Sequence, residues 1–437
     1  MKKTILFLLF PIFLFGQSFL ISNIPLPKTY VQNLDPYPCD ETCLQEYIDK
    51  EMIFSFLAHA DKKLQNDVQD EIRSINVCIL NIGSPIINVK LKIAMLLPYK
   101  KIGKYASSTT NATFAYLITK NQPFELRSYK IENETIEDIQ KALAQMYEDG
   151  FTHIIAPMTL AGAEQTAAIQ TPLKIFFPTI NKEDLQTDAP NLYFGGIDYK
   201  AQSDLLLKEA SSPLVIFHDK SPIGEKLAEY EEDAFLYKTT PEMNVTNEFG
   251  TFTQAQTKEK IEDRETIKFA ISRKTTNLEH YLKENEDING SSCFINTPIV
   301  KTSMIMSQLT LYDTNATNIL STQINYDPLI LSMTQYKDRE RMVIANSITE
   351  NNNVLIETNA ILNNDINYDW INYTTTVGID FFFHQMTNAD REYNIELVEN
   401  QMLYPIHLLK PSVSRFITYT PIVEPQSEEP SSFEGFL

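Results

Sequence analysis

The stretch from Val89 to Thr179 constrains the fold of this chain more than any other feature of its sequence. Four short strand-like runs (VKLKIAMLLP, FELRSYKI, FTHIIAP and LKIFFPT) alternate with segments whose apolar residues recur at helical spacing. Strands that alternate with helices in this way predict βαβ units and a parallel sheet. Sheets of that kind bind ligands or partners at the carboxyl ends of their strands, so the stretch also predicts where a site would lie.

A second series of the same kind follows the sequence NLYFGGIDY, whose paired glycines indicate a crossing point between two lobes. KAQSDLLLKEA and IGEKLAEYEE have helical patterns, whereas PLVIFHD, AFLYKT, TIKFAI, SCFINTP and NILSTQI are strand-like. LILSMTQ and RMVIANSI are predicted to be strands that pair, and NVLIETNAILNN and INYDWINYTTTVGIDFFFH to be late helices. The polar stretch 241–264 is predicted to be a long loop.

The size and charge of the chain limit how many domains it can form and which partners it can bind. With 437 residues it is long enough for two or three domains. Its net charge of −20 argues against nucleic acid as a partner, because binding phosphates requires a basic surface. The same charge disfavours adsorption to anionic lipid. An acidic, soluble surface is the plainer interpretation.

Residues 1–16 have the pattern of a secretory signal peptide. Lys2 and Lys3 form a positive start, Thr4–Phe15 an apolar core, and Gly16 a small residue at the cleavage point. The alternative is an uncleaved N-terminal anchor, although a proline interrupts the apolar run. We therefore expect export to the periplasm, with no membrane span after the signal is removed. At the other end, residues 420–437 are rich in proline and acid and are predicted to be disordered.

Residues 17–88 are predicted to form a helical extension and linker ahead of the first lobe. An apolar stripe that contains IFSFLA indicates that these helices pack on another surface or bind a partner. Cys39 and Cys43 are predicted to form a disulfide, because Pro38 keeps the chain extended where it enters the first helix. Two free buried thiols are the alternative. The cysteine spacing and the scattered histidines give no reason to expect a redox motif or a zinc site.

Four segments, KIAMLLP, EDGFTHIIAPMTLAGAEQTA, LKIFFPTIN and NLYFGGIDY, together resemble the type I periplasmic-binding-protein fold. That group includes branched-chain amino-acid receptors and the lipoprotein activator of a peptidoglycan synthase. The resemblance covers residues 89–420 and implies an α/β body of two lobes, with parallel sheets flanked by helices. Lobe 1 is expected in residues 89–195, with crossover elements from 325–385. Lobe 2 and the C-terminal elements are expected in residues 196–419.

In ligand-binding members of that group, the loops after the first, third and fourth strands supply hydroxyl and N–H groups to the bound molecule. The resemblance places these loops at Tyr99–Tyr105, Met158–Glu164 and Thr179–Lys182. The implied ligand cleft is lined by Tyr99, Lys100, Thr159, Gly162, Thr179 and Asn181. The first loop departs from the small residues usual there, because Tyr99 and the two lysines after it are bulky enough to fill the cleft. The alternative to a ligand site is an empty or degenerate cleft lined by solvated turn residues.

Three Asn-x-Ser/Thr sequons carry an acidic residue two positions before the asparagine, at Asn244, Asn289 and Asn315. The arrangement resembles the extended acceptor site of bacterial N-glycosylation systems, as in Campylobacter-like bacteria. It implies surface loops that face a periplasm, and a bacterium of that kind as the source of the chain.

No motif in the sequence supports catalysis. The chain contains no G-x-S-x-G, H-E-x-x-H, P-loop or G-x-G-x-x-G pattern. His153 lies in an apolar run and His218 at a strand end, and both are interpreted as structural histidines. We predict that the chain is not an enzyme and carries no cofactor or metal.

The leading hypothesis for function is a non-catalytic periplasmic accessory or scaffold protein that binds another envelope protein. The atypical first loop, the extra N-terminal helices and the lack of catalytic motifs favour it. Peptidoglycan synthases and the periplasmic discs of flagellar motors are envelope machines that use such components. The alternative is a periplasmic receptor that binds an amino acid or a similar small molecule between the lobes.

Overall fold

A computed structural model of the chain describes residues 29, 31–35, 37–80, 82, 91–120, 122–185, 187–241, 245–246, 252–253 and 256–420. The predicted signal peptide and residues 421–437 of the predicted tail lie outside the described residues. The chain divides into two compact units, one with residues 1–93 and 121–127 and the other with residues 94–120 and 128–437. Within the described ranges, no helix combines the length and apolarity that crossing a membrane requires.

Helices and strands alternate along most of the chain. The helices are α1 (Glu41–Asp49), α2 (Ile53–His59), α3 (Asp67–Ile79), α4 (Tyr99–Ile102), α5 (Tyr105–Thr119), α6 (Ile136–Glu148), α7 (Leu160–Ala167), α8 (Tyr199–Leu207), α9 (Pro222–Leu236), α10 (Glu279–Leu282), α11 (Ile299–Leu311), α12 (Leu329–Met333), α13 (Tyr336–Arg339), α14 (Asn353–Ile361) and α15 (Trp370–Thr387).

The strands are β1 (Leu91–Leu97), β2 (Phe124–Lys130), β3 (His153–Ile155), β4 (Lys174–Phe177), β5 (Leu192–Phe194), β6 (Leu214–Asp219), β7 (Tyr237–Pro241), β8 (Val245–Thr246), β9 (Phe252–Thr253), β10 (Gln256–Lys260), β11 (Thr266–Ile271), β12 (Ser292–Asn296), β13 (Asn318–Ser321), β14 (Met342–Asn346), β15 (Glu396–Val398), β16 (Gln401–Leu403), β17 (His407–Pro411) and β18 (Phe416–Thr418).

The first unit contains α1, α2 and α3, which share a small apolar core that includes Phe56 and Leu57. The segment IFSFLA therefore buries part of its stripe within its own unit, whereas Phe54 is 59% exposed. The structure contains the predicted disulfide between Cys39 and Cys43, whose Cα atoms lie 5.3 Å apart. The disulfide joins the residue before the N-cap of α1 to the third residue of that helix.

Lobe 1 is built on a seven-stranded sheet with the order β15-β16-β5-β4-β3-β1-β2. β3, β4, β5 and β16 run parallel, and β15 pairs antiparallel with β16 at the edge. One face is covered by α6 and α7, and the stripe predicted in α6 supplies Ile139 and Leu143 to this core. The other face meets α15, where the rings of Phe176 and Phe382 lie 6.1 Å apart.

Phe176 in β4 packs between two glycines. A Cβ on Gly195 would lie 2.3 Å from the Phe176 ring, and a Cβ on Gly378 of α15 would lie 2.2 Å from it. Protein interiors are close-packed, so neither position has room for a side chain while the ring stays where it is. Gly195, the first glycine of NLYFGGIDY, is therefore required for close packing where the chain crosses between the lobes.

Lobe 2 is built on a second seven-stranded sheet with the order β11-β6-β12-β13-β14-β17-β18. β11, β6, β12, β13 and β14 are parallel, and β17 and β18 are antiparallel additions at one edge. α8 and α9 cover one face, and α10, α11 and α12 cover the other. The predicted α/β fold of two lobes with parallel sheets flanked by helices is confirmed.

Three segments differ from the sequence-based prediction. LILSMTQ forms α12 instead of a strand and buries Ile330, because a short apolar run does not distinguish a strand from a buried helical turn. The predicted strand AFLYKT is divided, since α9 continues to Leu236 and β7 begins at Tyr237. The polar stretch 241–264 is not one long loop, because β10 pairs antiparallel with β7.

Candidate functional site

The loop after β1 folds into the single helical turn α4. Lys100 forms an ion pair with Glu132, with 2.7 Å between the nitrogen and the carboxylate oxygen. The hydrogen bond between them raises the pKa of Lys100 and lowers the pKa of Glu132. Tyr99 remains 38% exposed. This pair joins the predicted loop to the loop after β2.

The loop after β3 already holds a carboxylate at the start of α7. Glu134 accepts a hydrogen bond from the Thr159 N–H at 2.9 Å and a second one from the Thr159 hydroxyl. Thr159 is the N-cap of α7, and its hydroxyl accepts a hydrogen bond from the Gly162 N–H at 3.3 Å. A Cβ on Gly162 would lie 2.6 Å from the Glu134 carboxyl carbon. The predicted residues Thr159 and Gly162 therefore surround a carboxylate of the chain itself.

The loop after β4 is tied to neighbouring backbone. The Thr179 hydroxyl donates to the Met158 carbonyl oxygen at 2.9 Å, which brings this loop next to the start of α7. Asn181 donates to the Gly196 carbonyl at 3.4 Å and accepts from the Glu183 N–H at 3.0 Å. Thr179 and Asn181 therefore use these polar groups to hold the loop.

Lobe 2 repeats the arrangement at the start of α9. Asp219, at the end of β6, accepts hydrogen bonds from the Ser221 N–H at 3.1 Å and from the Ser221 hydroxyl. Ser221 is the N-cap of α9, and its hydroxyl accepts from the Gly224 N–H at 3.1 Å. A Cβ on Gly224 would lie 2.3 Å from a carboxylate oxygen of Asp219. Each lobe thus places a hydroxyl N-cap, a glycine and a carboxylate together at a helix start.

Two ion pairs join the lobes beside the loop after β4. Asp184 in lobe 1 pairs with Lys226 in lobe 2, and Glu183 pairs with Lys200 at 3.5 Å. The cavity beside these pairs, which Asn181 also lines, has a volume of 70 Å³. Small-molecule pockets usually measure about 300–1,000 Å³, so this space is too small for a drug-sized ligand.

A larger pocket of 750 Å³ lies at the hinge between the lobes. It is lined by the loop after β4, by the β15–β16 hairpin and by residues of the segments that cross between the lobes, such as Ser347 and Ile406. Of the predicted cleft residues, Asn181 alone is in its lining. This pocket was not predicted from the sequence. A local signal for its hairpin is Asn400, a residue type that favours turns, which has φ +68 in the turn between β15 and β16.

Lobe 2 also buries a carboxyl group that sequence reasoning missed. Glu231 of α9 is fully buried, and it accepts hydrogen bonds from Ser203 at 3.1 Å and from Asn296 at 2.5 Å. Burial raises the pKa of Glu231 to about 8. Beside it, the Gln202 amide donates to the Ser347 hydroxyl at 2.7 Å and accepts from the Gln323 N–H at 2.9 Å. Polar groups therefore fill the carboxyl-end region of this sheet.

The two histidines considered in the sequence have structural positions. His153 is buried in β3, and its ring lies edge-on to Phe382 with 4.9 Å between centroids. Burial lowers the pKa of His153 to about 4, so the ring is neutral near pH 7. His218 lies against the backbone carbonyl of Asp219 at 2.9 Å. In the part of the chain that the structure describes, no group of three or more His, Cys, Asp or Glu is arranged to hold a metal ion.

Two of the predicted glycosylation sites lie on one surface of lobe 2. Asn289 and Asn315 are both exposed, and the Gly290 N–H donates to the Asn315 carbonyl at 2.9 Å. Asn244 lies outside the described residues. Glycosylation at all three positions stays a prediction.

Comparison with known proteins shows a common fold without close sequence similarity. The sequence matches no protein-family model, and no curated protein sequence matches it. An ABC transporter substrate-binding protein from Sphaerobacter thermophilus superposes with a TM-score of 0.54 at 13% identity, over 75% of this chain and 96% of that chain. The substrate-binding protein LivJ of a branched-chain amino-acid transporter from Streptococcus pneumoniae, in complex with isoleucine, gives 0.51 at 8% identity, over 75% and 97%.

LpoA from Haemophilus influenzae superposes with a TM-score of 0.49 at 11% identity, over 86% of this chain and 65% of that chain. This chain therefore spans about two thirds of the length of that protein. The structural neighbours of this chain are type I periplasmic-binding-protein-like, and its two-lobed α/β body has their fold.

Proposed function

We propose that this chain is a non-catalytic periplasmic accessory or scaffold protein that binds another protein of the cell envelope. The observation that carries the proposal is the pair of internal carboxylates at the starts of α7 and α9. Glu134 and Asp219 each lie where an unpaired helix N-terminus would otherwise attract an anion. A group attached to the same chain has a high effective concentration, so a free carboxylate competes poorly for either position.

Two further observations support the proposal. The 70 Å³ cavity beside the loop after β4 is smaller than ordinary ligand pockets, and the residues of two ion pairs between the lobes line it. The loop after β1 is held by the ion pair between Lys100 and Glu132. The periplasmic location, and the flagellar or cell-wall setting of the partner, rest on the sequence and stay predictions.

A thermal-shift screen of the purified protein against the twenty amino acids tests the proposal. Ligand at about 100 times its Kd would stabilise the native state by about 2.7 kcal/mol, which is readily detected. We expect no amino acid to shift the unfolding temperature. A clear stabilisation by one of them would overturn the proposal and establish a receptor.

A periplasmic crosslinking pull-down provides the positive test. We expect one discrete envelope protein to co-purify with the full-length chain from its own host. Gly195→Leu is the matched control, because it disturbs the packing of Phe176 and should abolish the interaction if it requires the folded lobes. Recovery of the same proteins with both forms would count against a specific partner.

A second candidate function is a receptor for an amino acid or a similar small molecule. The 750 Å³ hinge pocket favours it, because its volume falls within the usual range for small-molecule sites. The same thermal-shift screen decides between the two functions. Loss of the ligand-induced shift in Leu403→Asp, at an exposed position of the lining, would place that ligand in the hinge pocket.

A further inference from the structure

Several amide and hydroxyl side chains that line the hinge pocket are already hydrogen-bonded to other groups of the protein. The Gln401 side chain is buried, donates to the Gly196 carbonyl at 3.1 Å and to the Met402 carbonyl at 2.8 Å, and accepts from the Lys182 N–H at 2.8 Å. Asn181 and Ser347 are likewise engaged with protein groups. A polar solute is recognised by a few well-placed polar groups, and here these amide and hydroxyl groups are already used by the fold.

Apolar side chains, by contrast, are available at this pocket. Val398 and Leu403 belong to the β15–β16 hairpin and are 41% and 48% exposed. Val398 pairs with Gln401, and side chains two residues apart share a face of a strand, so Val398, Gln401 and Leu403 lie on one face of the hairpin. Leu185 and Met402 supply buried apolar surface next to them.

The charged groups of the pocket are mainly acidic. Four carboxylates line it, those of Glu183, Asp188, Asp198 and Glu399, against the single ammonium group of Lys182. Lys182 pairs with Glu399 at 3.3 Å, and Glu183 pairs at 3.5 Å with Lys200, which lies outside this lining. The carboxylates of Asp188 and Asp198 are left in excess within the lining. The net charge of the whole chain, −20, has the same sign. A partner that matches this surface carries positive charge around an apolar side chain.

We propose that the hinge pocket and the exposed face of the β15–β16 hairpin form a docking surface for a basic protein segment, which inserts an apolar side chain between Val398 and Leu403. The inference rests on the proposed function and specifies where the envelope partner binds and what chemistry it presents. The apolar side chain gains contact with the hairpin, and flanking Lys or Arg side chains meet the acidic rim.

The test uses the full-length chain in its own periplasm, with p-benzoylphenylalanine in place of Val398 or of Leu403. Control chains carry the photo-crosslinker at Val300 of α11 or Ile361 of α14, which are 60% and 84% exposed and do not line the pocket. We expect protein adducts from the two pocket positions at least tenfold above the controls. Mass spectrometry of the adduct should identify an apolar residue flanked by Lys or Arg.

Two changes should weaken the crosslink through charge. Raising the ionic strength from about 0.15 M to about 1 M shortens the Debye length from about 8 Å to about 3 Å, and adduct yield should fall several-fold. The double variant Glu183→Lys/Asp188→Lys should lower it similarly. The matched control is Glu286→Lys/Glu357→Lys, which makes the same change in net charge at exposed acids elsewhere and should leave the yield unchanged.

The outcomes separate this inference from the proposed function. Adducts at Val300 or Ile361 without adducts at the pocket would overturn the docking site and leave the proposed function standing. A lack of adducts at all four positions, together with no partner in the pull-down, would overturn both. Adducts whose crosslinked segment is acidic, or whose yield does not depend on ionic strength, would contradict a basic partner segment. Stabilisation by a free amino acid that Leu403→Asp abolishes would make the pocket a solute site instead.

Discussion

The two lobes share a fold, but the side chains buried beneath their crossing segments differ in chemistry. In lobe 1, the Phe176 ring lies between Gly195 and Gly378, and ring contacts continue to Phe382. In lobe 2, the comparable region buries Glu231 and a set of amide and hydroxyl groups on α8 and at the carboxyl ends of the strands. The packing of lobe 1 in this region therefore depends on shape, whereas that of lobe 2 depends on hydrogen bonds and on the proton of the Glu231 carboxyl group.

The lobes agree, however, at their helix starts. Thr159-Leu-Ala-Gly162 in lobe 1 and Ser221-Pro-Ile-Gly224 in lobe 2 have the same spacing, and each hydroxyl bridges a helix N–H and a carboxylate. The comparison teaches that both lobes place a carboxylate of the chain itself at a helix start in the same way, although the interiors behind them differ. The difference predicts that added side-chain volume destabilises lobe 1 and that a rise in pH destabilises lobe 2.

The largest effect is expected from Gly378→Leu, which would force a side chain into the Phe176 ring in lobe 1. A Cβ alone would lie 2.2 Å from the ring, and overpacking of this kind usually costs about 1–3 kcal/mol or more. We expect a loss of about 3 kcal/mol in the free energy of unfolding, measured by urea denaturation. Ala360→Leu, an exposed site on α14, adds a leucine without a clash and should change stability little. Equal stability of the two variants would contradict the close packing of the Phe176 ring in lobe 1.

The second effect separates the lobes by pH. The pKa of Glu231 is about 8 in the folded protein, against an ordinary value of 4.5, so between these pH values the native state binds one more proton than the unfolded state. Its contribution to stability is fully present below pH 4.5 and is lost as the pH rises towards 8, at about 1.4 kcal/mol per pH unit.

Glu231→Gln keeps the shape and removes this titration. Between pH 6 and pH 8, wild type should lose roughly 2 kcal/mol more free energy of unfolding than the variant, as measured by urea denaturation at both pH values. Glu229→Gln, at an exposed position on the same helix, should retain the wild-type slope. Parallel slopes for wild type and Glu231→Gln would contradict a buried proton in lobe 2.

A smaller effect tests what the lobes have in common. Glu134→Ala should lower the free energy of unfolding by about 1 kcal/mol, because the start of α7 loses a carboxylate partner. Acetate in the buffer should restore part of this stability in the variant and leave wild type unchanged in a thermal-shift measurement. Glu164→Ala removes a carboxylate from the exposed face of the same helix and should show no acetate response. Acetate stabilisation of wild type would mean that the helix start is open.

The smallest effect is expected at the loop after β1. The Lys100 and Glu132 side chains are 52% and 64% exposed, and exposed ion pairs contribute little to stability. Lys100→Ala should leave the unfolding temperature unchanged within error. A substantial decrease would show that this loop supports lobe 1 more strongly than its exposure indicates.

Local patterns in the sequence predicted the elements well. The period of α6, its end at Gly150 with φ +79, and the strands before Pro157 and Pro178 are all found in the structure. The Cys39–Cys43 disulfide was also predictable from the sequence, because the two cysteines are four positions apart. These features depend on residues a few positions apart, which is the range over which periodicity and capping signals operate.

The candidate sites depend on pairs that are distant in sequence. Glu134 reaches Thr159 across 25 positions, and the Gln401 side chain meets the Lys182 N–H across 219. The hairpin of the hinge pocket comes from the far end of the chain and joins the edge of the lobe 1 sheet. A repeat of hydroxyl-x-x-glycine at two helix starts was visible in the sequence, but its carboxylate partners follow only from the tertiary structure.

The position of Gln401 has a mechanical consequence. Its amide binds the backbone of one crossing segment at Gly196 and the loop after β4, and the Tyr404 hydroxyl donates to the Gly195 carbonyl at 2.9 Å. These bonds join two of the segments that cross between the lobes to each other and to lobe 1. A force that reaches the C-terminal crossing segment is therefore passed to the first crossing segment and to the lobe 1 sheet through side-chain hydrogen bonds as well as through the backbone.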